Sequence, residues 1–295
     1  MGKDRFFNYL ENEKRYSENT LTAYQTDIEQ FSNYLKSEYK IDEISRVTHQ
    51  MIRAWIVDMM SQGSSARTIN RKLSTLKTLF RFFRKEGITS DNPLQRILPP
   101  KTGKRLPEFV SQDHMNWLLD EIEFEEGFRG ICDRLIIEIL YFTGMRLSEL
   151  IQLKISDTDL YQKQFKVSGK GNKDRIIPFG KELDNKISKY LQIRNNVSVK
   201  RENFDYLLIT DKGRKLNRQY VYRMVNTYLG KVSTLKKKSP HVLRHTFATH
   251  MLDNGADLNS IKDILGHASL AATQVYTHNS IEKLKKVYKQ AHPRA

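Results

Sequence analysis

Between positions 241 and 276 the chain carries four residues whose side chains could act together on a phosphate ester. His241 and Arg244 are three residues apart, so on a helix they lie on the same face. His267 directly follows Gly266, and Tyr276 comes nine residues later. Arginine can contact two phosphate oxygens at once, histidine can transfer a proton near neutral pH, and a tyrosine hydroxyl becomes a nucleophile beside groups that accept its proton. The set predicts attack by Tyr276 on a phosphodiester, giving a covalent phosphotyrosine.

Each of these residues also has a purely structural explanation. A histidine and an arginine at this spacing commonly lie on a helix surface or in a core, and a tyrosine near a chain end usually packs. A second arginine, Arg146, follows Gly144 at a predicted helix start, where an anion is favoured over a cation. The Arg146 guanidinium therefore needs either the carboxylate of Glu149 or an external phosphate as its partner. The residues alone leave packing and catalysis both open.

Apolar spacing and turn residues predict the elements that must position these side chains. The helix that carries His241 begins at Ser239–Pro240, with serine as cap and proline in the first turn. A second short helix spans Leu258 to Leu265. Two β-segments, Gln164–Val167 and Arg175–Pro178, are joined by a turn with two glycines and an asparagine, which predicts an antiparallel hairpin.

Several segments together resemble a known family. The segments HVLRHTFATHML and LGHASLAATQVYTH are similar to the carboxy-terminal signature of the tyrosine recombinases, the phage integrase family. That signature is H-x-x-R, then Gly-His, then a tyrosine nine residues later. Arg146 in TGMRLSEL matches the first arginine of the family, and Lys170 in GKGNKDR matches its hairpin lysine. The closing segment YTHNSIEKLKKVYKQAHPRA is similar to the Xer branch of the family.

The resemblance, with the apolar patterns, predicts a two-domain architecture. The fold class is mainly α-helical, with a small antiparallel β-sheet in the second domain. Residues 1–98 are expected to form a helical, SAM-like core-binding domain that contacts DNA. Residues 99–108, which contain three prolines, are expected to form the linker. Residues 109–295 are expected to form the catalytic domain with a tail that contacts another subunit.

The resemblance also implies a catalytic set and a mechanism. The tyrosine attacks the scissile phosphorus, leaving a 3′-phosphotyrosyl link and a free 5′-hydroxyl. The two arginines neutralise the charge that develops on the phosphate, and His267 donates a hydrogen bond to a phosphate oxygen. His241 assists proton removal from the tyrosine, and the lysine protonates the departing 5′-oxygen. The six residues are Arg146, Lys170, His241, Arg244, His267 and Tyr276.

No metal or other cofactor is expected. The sequence contains no HExxH or CxxC motif and no acidic cluster around its histidines, so metal-assisted phosphodiester hydrolysis is disfavoured. Exchanging a phosphodiester for a phosphoester of similar energy conserves the bond energy, so rejoining requires no ATP. The expected enzyme is a metal-independent strand transferase.

The resemblance implies a site-specific DNA recombinase that resolves chromosome dimers at a dif-like site. An integrase or transposase of a mobile element would use the same chemistry. A type IB topoisomerase and a DNA-binding regulator without catalysis are further alternatives. The expected partners are double-stranded DNA with a recombination site and three further subunits, identical or not, in a tetramer on two DNA sites. A second Xer recombinase and a DNA translocase are further candidates.

The composition agrees with a nucleic-acid partner. The 295 residues include 50 basic and 34 acidic ones, a net charge of +16, which favours a polyanion or an anionic membrane surface. No apolar run reaches the roughly 18 residues that a spanning helix needs, and the amino terminus is too charged for a signal peptide. The single cysteine, Cys132, suits a reducing compartment and is interpreted as a small buried side chain. A cytoplasmic location is expected, with no membrane partner.

Basic residues outside the catalytic set are candidate DNA contacts. They occur on the third amino-terminal helix, in the linker, at the hairpin tip and just before the helix of His241, and a solvated basic surface without a partner is the alternative at each place. The candidates are Arg67, Arg71, Lys72, Lys101, Lys104, Arg105, Lys173, Arg175, Lys236, Lys237 and Lys238.

The last residues predict an amphipathic helix. Ile281, Leu284, Val287 and Tyr288 recur at helical spacing between lysines. A helix this short needs a surface to dock on. That surface is either its own domain or, as the resemblance implies, the neighbouring subunit of the assembly.

Overall fold

A computed structural model describes residues 2–103, 108–168, 174–197, 203–266 and 278–294, without the side chains of residues 278–280. The chain divides into two compact units, Met1–Arg105 and Leu106–Ala295. The predicted fold class is confirmed, because helices predominate and a small antiparallel sheet lies in the second unit. Among the described helices, none is both long and apolar enough to cross a membrane.

The first unit is built from helices around one core. Helices α3 and α4 begin where side chains cap them, because Thr48 accepts a hydrogen bond from the Met51 amide and Ser65 accepts one from the Thr68 amide. The apolar stripes of α2, α3 and α4 meet in an aromatic-rich core that includes Phe31. The helices are α1 (Gly2–Asn8), α2 (Glu18–Tyr39), α3 (His49–Ser61) and α4 (Ala66–Lys85), with a short π-helix at Tyr9–Glu13 and a short 3-10 helix at Ile44–Arg46.

A buried carboxylate in this unit corrects one predicted DNA contact. Asp27 is fully buried between α2 and α4, and its oxygens accept from Lys72 Nζ at 3.1 Å, from Thr75 Oγ1 at 2.9 Å and from the Arg71 guanidinium. Lys72 is only 7% exposed and also donates to Gln30. The prediction that Lys72 contacts DNA is therefore wrong, because its ammonium group satisfies a buried charge.

The second unit contains the remaining elements. Its three-stranded sheet has the order β1-β2-β3 and is antiparallel throughout, with Phe165 opposite Ile177 in the predicted hairpin. The helices are α5 (Gln112–Asp120), α6 (Gly127–Thr143), α7 (Leu147–Gln152), α8 (Lys181–Arg194), α9 (Arg218–Val232), α10 (Pro240–Asp253), α11 (Leu258–Leu265) and α12 (His278–Ala291), and the strands are β1 (Thr158–Asp159), β2 (Gln164–Ser168) and β3 (Asp174–Pro178).

Helix α6 lies at the centre of this unit. Its second half, residues 135–143, is buried on all sides because α8, α9 and α10 pack around the helix. Ile131, near the start of the helix, is 39% exposed. Cys132 is buried and donates to the Ile209 carbonyl, and burial raises the pKa of its thiol to about 12. It is a packing residue, as predicted.

The carboxy-terminal helix α12 docks on its own unit. Leu284 and Tyr288 of its apolar face are buried against α10, α11 and β3, and His292 just beyond it is buried as well. The Asn254 side chain donates to the Ala291 carbonyl at 2.9 Å. In this single chain the helix takes the first of the two docking surfaces that the sequence allowed, its own domain, and packing on a neighbouring subunit remains a prediction.

Candidate active site

Arg146 lies at the turn between α6 and α7. Gly144 ends α6 in the left-handed conformation, with φ of 60°, and a Cβ there would lie 2.5 Å from the Phe247 ring. The Arg146 amide donates to Glu149 Oε2 at 2.7 Å and its Nη1 donates to Glu149 Oε1 at 2.8 Å. Its Nη2 donates to the Gly266 carbonyl at 2.8 Å. Glu149 is the carboxylate partner foreseen from the sequence, and the Arg146 side chain remains 32% exposed.

Arg244 lies on α10 and reaches the same region from the other side. Its Nη1 donates to the Gly144 carbonyl at 2.7 Å and its Nη2 to the Leu265 carbonyl at 2.8 Å. Burial, followed by the positive charges of Arg146 and Arg175, lowers the pKa of Arg244 to about 10. The guanidinium is therefore charged at neutral pH. The two predicted catalytic arginines thus approach one another, joined by the backbone at Gly144 and at the end of α11.

Arg175 was predicted at the hairpin tip as a DNA contact, and the structure corrects this. The residue is 4% exposed, with Nη1 and Nη2 donating to Glu149 Oε1 and Oε2 at 2.7 and 2.8 Å. Its Nε donates to the Ile264 carbonyl at 2.8 Å. Successive residues of a strand face opposite sides, so Arg175 shares the buried side of β3 with Ile177. The side chain points into the unit, where it cannot contact a phosphate on the surface.

The end of helix α11 holds all three arginines. The carbonyls of Ile264, Leu265 and Gly266 each accept from a different guanidinium: Arg175, Arg244 and Arg146, respectively. The last carbonyls of a helix have no intrahelical partner and carry partial negative charge, so cations are favoured there. Gly266 is left-handed, with φ of 63°, and a Cβ on it would lie 2.9 Å from Arg175 Cδ. The close approach requires glycine at this position.

Glu149 is the only carboxylate that hydrogen-bonds these guanidiniums among the residues that the structure describes. Burial alone would raise its pKa, but the hydrogen bonds and charges of Arg175 and Arg146 outweigh burial and hold the pKa at about 2. Three cations thus surround one anion, which leaves an excess of positive charge. An anion such as a phosphate group would be attracted to the exposed edge of the cluster, where Arg146 lies.

The structure brings together only some of the predicted site residues. His241 is exposed in the first turn of α10, one turn before Arg244. Lys170, His267 and Tyr276 lie outside the described residues. The structure therefore supports the arginine pair and leaves the hairpin lysine, the second histidine and the nucleophile as predictions.

The remaining candidate DNA contacts differ in exposure. Five basic side chains are exposed, whereas Lys238 is half-buried. The Lys237 backbone amide donates to Glu108 Oε2 at 3.2 Å. This contact does not involve the Lys237 side chain. Three candidates, Lys104, Arg105 and Lys173, lie outside the described residues. The exposed candidates are Arg67, Arg71, Lys101, Lys236 and Lys237.

Two family models match this chain, one in each unit. The sequence model of the phage integrase family matches residues 108–283, and that of the phage integrase N-terminal SAM-like domain matches residues 4–87. The chain belongs to the phage integrase family. The arginine cluster lies within the larger of the two family matches.

Relatives in this family cover the chain almost completely. Tyrosine recombinase XerC of Listeria welshimeri is 37% identical over 99% of this chain and 98% of its own length. Tyrosine recombinase XerD of Oceanobacillus iheyensis is 36% identical over 98% of this chain and 97% of its own length. The likeness therefore extends to both units.

Two solved structures share the fold of this chain. The XerH site-specific recombinase in a post-cleavage complex with palindromic difH substrate has a TM-score of 0.71 and 26% identity, covering 90% of this chain and 78% of its own. The Tn1549 transposon integrase bound to transposon right-end DNA has a TM-score of 0.72 but 19% identity, covering 96% and 98%. The second likeness is one of fold alone.

The backbone groups of the site could not be predicted from the sequence. Nothing in residue types indicates that the carbonyls of Ile264, Leu265 and Gly266 accept from arginines, because this depends on how α11 meets α7 and α10. The burial of Arg175 could have been expected, since it lies two residues before the inward-facing Ile177 and therefore on the same side of a short strand. An arginine at such a position must have a buried anionic partner.

Proposed function

We propose that this chain is a site-specific tyrosine recombinase, a DNA strand transferase that acts through a 3′-phosphotyrosyl intermediate. One observation carries the proposal: Arg146 and Arg244 are fixed beside one another by carbonyls at Gly144 and at the end of α11. Two preorganised guanidiniums suit the charge that grows on a phosphate in the transition state. Membership of the phage integrase family supports strand transfer as the reaction.

In the proposed reaction the Tyr276 hydroxyl oxygen forms a bond to the scissile phosphorus while the bond from phosphorus to the 5′-oxygen breaks. His241 assists removal of the tyrosine proton, and Lys170 gives a proton to the departing 5′-oxygen, so the strand leaves as a hydroxyl. The reverse step, with a 5′-hydroxyl as nucleophile, releases the tyrosine and reseals DNA. Both steps exchange one phosphate ester for another and require neither ATP nor a metal.

The phosphate is held by the remaining residues of the proposed site. Arg146 and Arg244 contact the non-bridging oxygens and His267 donates a hydrogen bond to one of them. Among the described residues, three of the five guanidinium hydrogens of Arg146 have no acceptor, so this side chain can bind phosphate while keeping Glu149 and Gly266. Fixed orientation means that no reorganisation is needed when charge develops.

The proposed substrate is double-stranded DNA with a specific recombination site. The helical part, residues 1–98, is proposed to bind DNA; residues 99–108 link it to the catalytic part, residues 109–295. The active assembly is proposed to be a homo- or hetero-tetramer on two sites, with a second Xer recombinase and a DNA translocase as candidate partners. This function places the protein in the cytoplasm, where the chromosome lies.

Chromosome-dimer resolution at a dif-like site is the biological role that we propose. The relatives that are 36–37% identical over the whole chain are named XerC and XerD, and the XerH complexes contain difH substrate. An integrase of a mobile element is the alternative with the same chemistry, and the transposon integrase resembles this chain in fold only.

The test is formation of a covalent adduct on a nicked suicide substrate that carries a recombination site. Wild-type protein should become attached to the 3′ end at the cut, whereas Tyr276→Phe should bind the duplex but form no adduct, since only the nucleophilic oxygen is lost. Tyr288→Phe is the matched control, because Tyr288 is buried in the docked tail and its removal should leave adduct formation intact. Adduct formation by Tyr276→Phe would show that another residue is the nucleophile.

A further inference from the structure

The buried guanidinium of Arg175 has no place in the reaction as proposed above. It is 4% exposed, so it does not reach substrate, yet it makes the shortest ion pair to Glu149 that the described residues contain. Three of its nitrogens are engaged, two by the carboxylate and one by the Ile264 carbonyl. Such a fork geometry fixes both partners in one orientation.

We propose that Arg175 is a positioning residue for strand cleavage: its guanidinium neutralises and fixes Glu149, and Glu149 in turn holds Arg146 where it meets the scissile phosphate. The proposal rests on the proposed recombinase function. It assigns Arg175 no contact with DNA and distinguishes it from the arginines that bind phosphate.

The charges explain why a second arginine is needed. Glu149 is nearly fully buried and accepts two hydrogen bonds on each oxygen, from Arg146 and from Arg175. Were Arg146 its sole partner, the two would form a neutral pair, and Arg146 would attract a phosphate less strongly. With Arg175 present the carboxylate is already balanced. Arg146 then keeps its positive charge for the substrate while Glu149 still orients it.

The backbone gives a second route to the same result. Arg175 Nε holds the Ile264 carbonyl, and the next two carbonyls hold Arg244 and Arg146. Fixing the end of α11 therefore fixes the acceptors of both phosphate-binding arginines. Arg175 lies beneath this segment, close enough that Gly266 has no room for a side chain.

The experiment compares wild-type protein with four variants: Arg175→Gln, Arg175→Lys, Glu149→Gln and the double variant Glu149→Gln/Arg175→Gln. Single-turnover cleavage of the suicide substrate is measured across pH, with duplex binding and thermal unfolding measured on the same samples. Among the described residues, the charged groups set against Glu149 are the guanidiniums of Arg146, Arg175 and Arg244. Titration of the histidines is common to all five proteins and cancels in the comparison.

Arg175→Gln should cleave about tenfold to a hundredfold more slowly, which is less than the loss of a direct donor. Its rate should fall further as the pH is lowered through a range where wild type shows no such loss. The reason is that burial without Arg175 favours the protonated carboxyl, which then orients Arg146 poorly. Arg175→Lys should recover part of the rate, since it restores charge without the fork.

The double variant should cleave at the same rate as Glu149→Gln alone, because the two residues act through one pair. It should not show the further loss of rate at low pH that is expected for Arg175→Gln. It also removes both buried charges together, which preserves folding if Arg175→Gln proves unstable. Wild-type rate and pH profile in folded Arg175→Gln or Arg175→Lys would overturn the proposal, as would effects that simply multiply in the double variant. Absence of an adduct with wild-type protein would instead overturn the recombinase function itself.

Discussion

Arg146 and Arg244 differ in exposure and in the groups that hold their guanidiniums. Arg244 is 8% exposed and held by two carbonyls, whereas the Arg146 side chain is 32% exposed and shares its contacts between a carboxylate and a carbonyl. Both retain N–H groups for an anion. Because these contacts fix both side chains, the guanidiniums stay directed at the same region.

Replacing either arginine should slow cleavage far more than it weakens DNA binding. Arg146→Ala and Arg244→Ala should each lose on the order of 10²–10³ in single-turnover rate, because each removes preorganised charge.

Lys170→Ala should also cleave slowly, because the departing oxygen then lacks a proton donor. A 5′-phosphorothiolate substrate, whose sulfur leaves without a proton, should restore cleavage by Lys170→Ala but not by Arg146→Ala. Equal restoration of both would show that Lys170 is not the acid.

The tail helix α12 illustrates what an amphipathic pattern can and cannot specify. The spacing of Leu284 and Tyr288 correctly predicts the apolar face. It does not specify which copy of the chain supplies the docking surface, since the same groove exists on every subunit. In the isolated chain the helix takes the nearer groove. His292 extends this contact into an aromatic pocket, stacked on Tyr288 with ring centroids 5.0 Å apart.

Docking of the tail should depend on pH through His292. Burial, which the backbone hydrogen bond to Tyr141 offsets only partly, lowers the pKa of His292 from 6.5 to about 3. The folded chain therefore holds a neutral ring, and below pH 6.5 the unfolded chain binds a proton that the folded chain excludes. The free energy of unfolding should fall by about 1 kcal/mol more between pH 7 and pH 5.5 in wild type than in His292→Phe.

Urea unfolding at the two pH values measures this difference. His250, whose pKa burial also lowers, is present in both proteins and does not contribute to it. Exposed His114 provides the matched control, since His114→Gln should keep the wild-type dependence. Identical pH dependence in His292→Phe and wild type would mean that the tail is not docked in solution as in the structure.

Local signals were sufficient to predict the helices α10, α11 and α12 near the site. Capping at Ser65 and Ser111 and the left-handed Gly144 mark helix ends, and the predicted bounds of α11, Leu258–Leu265, are those observed. The partners of Arg175 could not be predicted from its neighbours, because they come from α7 and α11, distant in sequence. Tertiary packing therefore decided whether a basic residue became a DNA contact or a buried pair.

The whole chain carries a net charge of +16, and its two units both expose basic side chains. Arg67 and Arg71 are exposed on α4 of the first unit, and Lys236 and Lys237 are exposed just before α10 of the second. A protein that places several such charges on DNA phosphates displaces condensed counterions. Binding to the recombination site should therefore weaken steeply with salt.

The slope of log affinity against log salt concentration should be steeper than about −3, because each phosphate contact contributes about −0.9. Replacing Lys236, Lys237 and Lys238 together by glutamine should make the slope shallower by up to about 3. Replacing the same three by arginine keeps the charge and should preserve the slope. Fluorescence anisotropy on a labelled site over a salt series measures all three proteins. A wild-type slope shallower than about −3 would mean that few phosphates are contacted. The expectation that basic side chains of both units bind DNA would then be wrong.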